Sequence, residues 1–233
     1  MNKIIRLYRW ARFRHGHGVH SPFAFSFIND IVEEQYAYYG YKEIAHKIKM
    51  RKQPSLRMGR YRLKENLFLY RLSLKFNPTN IILLGCDSFF TLLYLQAESK
   101  TTHCTLIESN SSNITSALHL INLEKNMRLL DVEESQILNT FEIEISKKRI
   151  PQIVYIHQSL SIDDKQKAID LCCNFQQDET VVIIDGINKD AAIKRFWKKI
   201  ISNPSISVSF DLLEIGILVI KPKLKKQNYK LFF

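Results

Sequence analysis

At 233 residues, with 45% hydrophobic and 24% charged side chains, the chain is long enough to bury a sizeable core and has a globular balance. Thirty-four Lys+Arg against 23 Asp+Glu leave a net charge of +11, which favours acidic partners such as RNA or an anionic membrane surface but does not specify a fold. No window approaches the roughly 20 apolar residues of a membrane span, and the opening MNKIIRLYRWARFRHGHG has no signal-peptide-like apolar run, so a cytoplasmic location is expected.

In chain order, residues 3–14 (KIIRLYRWARFR) space Arg6, Arg9 and Arg12 three apart and predict a short basic amphipathic helix. His20-Ser21-Pro22 then reads as a helix start, with Ser21 as N-cap and Pro22 at the first helical position. That helix runs through FAFSFINDIVEE. Residues 36–60 predict a short helix and a basic loop. A further amphipathic helix, RLKENLFLYRLSLKF, stops before Asn77-Pro78.

From residue 80 short apolar runs alternate with helical patterns. IILLG, HCTLIE, MRLLDV, PQIVYIH and ETVVIID each precede a helical stretch. Such runs are what strands buried on both faces look like, and five βα units predict a parallel, doubly wound sheet. SISVSFDLLEIGILVIKP then breaks the rhythm, because its two β-rich runs lie too close together for an intervening helix and must pair antiparallel. The expectation is a mostly parallel, seven-stranded Rossmann-like α/β sheet ending in a β-hairpin. Residues 1–78 would form a helical extension or lid, and residues 79–233 the α/β domain.

Ligands of open α/β sheets sit beyond the carboxyl ends of the strands. The first strand ends in Leu84-Gly85-Cys86-Asp87-Ser88, where a glycine permits a sharp turn and close ligand approach. Gly85, Cys86 and Asp87 are therefore candidate cofactor-binding residues. The second strand ends at Glu108, 23 residues after Gly85, where a carboxylate can accept hydrogen bonds from a ribose diol. The fourth ends at His157 and the fifth at Asp185, which are candidate catalytic groups. Each has an ordinary alternative as a cap, a turn or a satisfied local hydrogen bond. Cys86, Cys104, Cys172 and Cys173 contain no CxxC and read as buried reduced thiols. The glycine-flanked His15, His17 and His20 have no nearby carboxylate or cysteine in sequence, and no metal is expected.

Five βα units closed by a hairpin, after N-terminal helices, is the order of class I S-adenosylmethionine-dependent methyltransferases. The chain resembles a bacterial family of small methyltransferase-like proteins that open with a Gly-x-Gly-(Ile/Val)-His-Ser-Pro-Phe segment, matched by Gly16-His17-Gly18-Val19-His20-Ser21-Pro22-Phe23. Asp211 to Ile217, Phe196-Trp197, and Lys226-Gln227 to Phe233, where the family has a final strand, also resemble that family. More remotely, the chain is similar to small O-methyltransferases. The resemblance implies S-adenosylmethionine binding, methyl transfer to a small molecule, and N-terminal helices over the site. His157, Asp185 or His20, in that order, would supply a base. The chain departs from the family where Leu83 replaces an acid, Phe89 a glycine, and Tyr155-Ile156-His157-Gln158 a Phe-Ile-Asp-Gly run. Gly85, Glu108 and Asp185 survive. A non-catalytic binding module for an acidic partner is the alternative. A nucleotide-dependent oxidoreductase would require a G-x-G-x-x-G, which is missing after the first strand.

Overall fold

The computed structural model describes residues 19–50, 60–86, 90–96, 101–115, 126–147, 152–175 and 179–233. The expected helix at 3–14, the histidines at 15 and 17, and Asp87 lie outside them. Helix α1 (Pro22–Phe27) is capped by Ser21, whose Oγ accepts the Ala24 N–H at 3.3 Å, and a π-helical turn (Ile28–Val32) continues it. Helices α2 (Tyr39–Met50) and α3 (Arg60–Phe76) follow. The end of α3 is set at Asn77, whose φ of 42° turns the chain left-handed before Pro78.

The α/β part comprises β1 (Asn80–Leu84), α4 (Phe90–Gln96), β2 (His103–Glu108), β3 (Met127–Asp131), α5 (Ile137–Ser146) and β4 (Ile153–Ile156). It continues with α6 (Ile162–Phe175), β5 (Thr180–Asp185), α7 (Ala191–Ile200), β6 (Val208–Asp211), β7 (Ile215–Ile220) and β8 (Gln227–Lys230). One sheet runs in the order β3-β2-β1-β4-β5-β7-β6-β8. Strands β1 to β5 are parallel, and β7 enters antiparallel between β5 and β6. The hairpin is present, and the basic tail adds an eighth strand to the seven expected, within the segment where the resemblance implies a final strand. β8 pairs parallel with β6 at the edge, and its Tyr229 ring stacks on Phe210 at 5.4 Å. Its alternating half-buried and exposed residues, with lysine outward, suit an edge strand.

The two-residue pleat sorts the strand side chains between two cores. Ile81, Leu83, Ile153, Tyr155, Val181 and Ile183 face α1, α3 and α4. Ile82, Leu84, Val154, Ile156, Val182 and Ile184 face α5, α6 and α7. The described N-terminal helices pack directly on the sheet. Phe27 of α1 stacks on Phe210 of β6 at 4.0 Å with rings 6° apart, and Phe68 and Leu72 of α3 are fully buried in the same cluster as β1. These helices form a layer of the sheet's own core, because their apolar stripes have no other surface to cover. Among the described residues no helix is long and apolar enough to cross a membrane.

Candidate functional site

Beyond β1 the chain turns at Gly85, whose φ is +74° and whose N–H donates to the Ile107 carbonyl at 2.9 Å. Cys86 follows, buried, its thiol pushed well above the usual range by burial and by the Glu108 carboxylate. Glu108 closes β2 and is only 4% exposed. Its Oε2 accepts the Cys86 N–H at 3.0 Å and an Asn113 Nδ2–H at 3.2 Å. Its Oε1 accepts the Ser109 and Asn110 N–H groups at 2.9 and 3.0 Å. Two carboxylate oxygens have about four lone-pair positions, and the chain itself supplies four donors. Asn113 also donates to the Cys86 carbonyl at 2.6 Å, tying the two strand ends together. Sequence reasoning missed Asn113, since nothing in its spacing separates it from an ordinary polar residue of the helix that opens at 111–115.

His157 leaves β4 with its N–H on the Leu84 carbonyl at 3.0 Å, so it sits directly beside the Gly85 turn. Its Nδ1 lies 2.8 Å from Ser159 Oγ, and its Nε2 lies 3.8 Å from Asp185 Oδ2. The turn from His157 to Leu160 presses on the first strand's exit. A Cβ placed on Gly85 would stand 3.2 Å from His157 Cβ, 3.3 Å from Leu160 Cδ1 and 3.5 Å from Ser159 Oγ. The turn is held from behind by Lys165 of α6, 1% exposed, which donates to the carbonyls of Gln158 (3.2 Å) and Leu160. Burial, with Lys189 nearby, brings the Lys165 ammonium down to about 8. The space left between Gly85, Glu108, Ser159 and Leu160 is a cavity of ≈ 30 Å³.

A second, larger cleft of ≈ 210 Å³ opens on the same rim, between α3, β4, β5 and the β6–β7 turn. Asp185, Gln158, Tyr155, Asn66, Glu65 and Glu214 line it, with Lys189 the only lysine or arginine on its described wall. The β6–β7 turn is fixed there through the Glu214 carbonyl, which accepts the Gly186 and Ile187 N–H groups at 2.8 and 3.1 Å. Leu213 in that turn has a φ of 77°, a conformation costing a non-glycine residue about 1–3 kcal/mol. Asp211 Oδ1 accepts its N–H at 3.0 Å, and Asn188 donates to its carbonyl.

The sequence-predicted residues are thus neighbours without sharing one cavity. Gly85 and Glu108 border the small space, Asp185 borders the cleft, and His157 is wedged between them, 5% exposed. Asp185, ranked second as a base, is the one of the pair that reaches the cleft. His20 belongs to a segment at the opposite rim, because Phe23 packs against Phe76 and under Lys221, which flank the amino ends of β1 and β5. Phe90, which opens α4, is buried in the core shared by α1, α3 and α4. Among the described residues no group of three or more His, Cys, Asp or Glu side chains is arranged to hold a metal ion.

No family model and no curated protein matches the sequence. The fold has solved counterparts. A Staphylococcus aureus protein described provisionally as a caffeoyl-CoA O-methyltransferase superposes with a TM-score of 0.58 at 14% identity, covering 85% of this chain and 97% of that one. A Podospora anserina methyltransferase with bound SAH gives 0.57 at 11% identity, over 85% and 93%. A Bacillus cereus O-methyltransferase in complex with SAH gives 0.54 at 14% identity, over 84% and 96%. The chain has the Rossmann-like methyltransferase fold.

That fold implies an adenosyl cofactor in the groove between the first two strands. Such a ligand needs an open groove and an acceptor free to receive its ribose hydroxyls. The described residues do not fit it in this arrangement. Glu108 is filled by internal donors, and a space of ≈ 30 Å³ holds a water or two, whereas ligand pockets run to roughly 300 Å³ and above.

Proposed function

We propose that this chain is a non-catalytic member of the methyltransferase fold, a binding protein rather than a user of S-adenosylmethionine. The observation that carries the reading is the Glu108 carboxylate, whose four acceptor positions are taken by Cys86, Ser109, Asn110 and Asn113. A ribose diol would have to displace backbone donors that then lose their partner in a buried site, at about 1–3 kcal/mol each. The net charge of +11, with exposed Lys42, Lys47 and Lys49 along α2, favours an acidic macromolecular partner.

A second reading is an S-adenosylmethionine-dependent O-methyltransferase acting on a small molecule. Its support is the fold shared with SAH complexes over most of the chain, together with Gly85, Glu108 and Asp185 at the three strand ends. In that reading the acceptor occupies the 210 Å³ cleft, where Asp185 is placed to hold its proton and His157 fixes the Asp185 carboxylate from behind.

Titration calorimetry with S-adenosylhomocysteine separates the two. The binding reading expects no heat at millimolar ligand, and saturable one-to-one binding would replace it with the enzyme reading. Retention on heparin that falls with added salt is the accompanying positive sign of an acidic partner.

A further inference from the structure

On the side of α3 facing away from the cleft lies a cavity of ≈ 430 Å³, inside the roughly 300–1,000 Å³ range of small-molecule sites. Lys64, Leu67 and Arg71 line it at helical spacing, one turn apart along α3. The rings of Tyr36, Tyr41, Phe232 and Phe233 form its aromatic wall, with Lys64 Nζ 4.2 Å from the centre of the Phe233 ring.

Arg71 is 8% exposed. Its Nε donates to the Ile31 carbonyl at 2.7 Å, and its Nη1 donates to the Tyr41 hydroxyl at 3.2 Å. Both acceptors are neutral, and among the described residues no carboxylate forms an ion pair with it. A guanidinium has five N–H donors and keeps its charge at any working pH. Burying that charge with no carboxylate in direct contact is costly, so the guanidinium favours an anion that comes to it. The ring set limits which anion fits. Tyr41 is held in place by Tyr70 at 4.9 Å and Tyr38 at 5.4 Å, so its edge of the wall is preformed. Glu33 and Glu34 border the same cavity, and Glu34 Oε1 accepts the Tyr36 N–H at 2.8 Å. Those acids repel a dianion such as phosphate about twice as strongly as a monoanion, so a monoanion with an apolar body, held at the Arg71 end, is the anion least opposed.

We propose that this cavity binds a small aromatic carboxylate, its carboxylate on the Arg71 guanidinium and its ring against Tyr36, Phe232 and Phe233. The site stands whether or not the adenosyl groove opens, since it shares no lining residue with it.

The test compares cinnamate with its uncharged isostere cinnamamide on the whole chain by calorimetry. Cinnamate is expected to bind one-to-one and cinnamamide about tenfold more weakly, because the charge-assisted fork is lost. Tyr36→Ala, at a residue 75% exposed, is expected to leave the melting temperature unchanged and weaken cinnamate several-fold, on the order of one stacking contact. Arg71→Gln is expected to abolish the preference for the charged ligand. If that variant does not fold, the comparison of the two ligands on the unaltered chain and the Tyr36 variant still decides. Equal binding of the two ligands, no binding of cinnamate at millimolar concentration, or unchanged affinity in Tyr36→Ala overturns the proposal.

Discussion

Glu108 could face a ligand or face its own chain, and its four hydrogen bonds assign it to the chain. It therefore acts as a structural clamp between the exits of β1 and β2. Replacing it with glutamine keeps the shape but leaves one acceptor oxygen for several donors and puts an amide N–H₂ against backbone N–H groups. Glu108→Gln is expected to lower unfolding stability by about 1–3 kcal/mol in urea denaturation, the usual cost of stranding buried donors. If the residue were held in reserve for a ribose, stability would be unchanged and only ligand affinity would fall. At the same scale, His157 was legible as a strand-end histidine, whereas its enclosure was not. The residues that enclose it are Ser159, Asp185 and the Gly85 turn, the last of which comes from more than seventy positions away.

Among the elements, the N-terminal helices are where the sequence left the docking most open. Their amphipathic stripes and the Ser21 cap were readable, since both are local properties of a helix. Where the stripes dock was not readable, because a stripe fits a ligand-covering lid as well as a sheet face. Phe27 answers this by stacking on Phe210 and standing 6.5 Å from Phe68 and Phe76. Phe27→Ala is expected to cost about 3–5 kcal/mol, as for a fully enclosed aromatic. Calorimetric or denaturant unfolding measures it, and a loss below about 1 kcal/mol would mean that α1 rests on the sheet without being part of its core. The eighth strand was implied by the resemblance alone and was obscured in the residue pattern for a related reason. The stretch KPKLKKQNYK is too charged for a period-two signal, and its register comes from pairing with β6.

Taken whole, the molecule has two cores separated by one sheet, and every strand from β1 to β7 except β6 contributes side chains to both. Disrupting either face exposes the strands that hold the other. In a Trp10→Phe background, the fluorescence of Trp197 in the α7 core and the far-UV circular dichroism of the whole chain are expected to lose structure in one coincident transition. Two separated transitions would show that residues 1–78 unfold as an independent unit.

The alternation of short aliphatic runs with helical patterns by itself determined the parallel sheet and its closing hairpin. A strand buried on both faces has to be apolar throughout, and a connection too short for a helix has to reverse direction. The sequence likewise placed Gly85, Glu108, His157 and Asp185 at strand ends, since position along a βα unit is a local property. Only the tertiary structure decided what those ends enclose. Whether a carboxylate is open to a ligand depends on donors that other segments bring to it. Here Cys86 and Asn113 reach Glu108 while the His157–Leu160 turn, pinned by Lys165, fills the groove beside it.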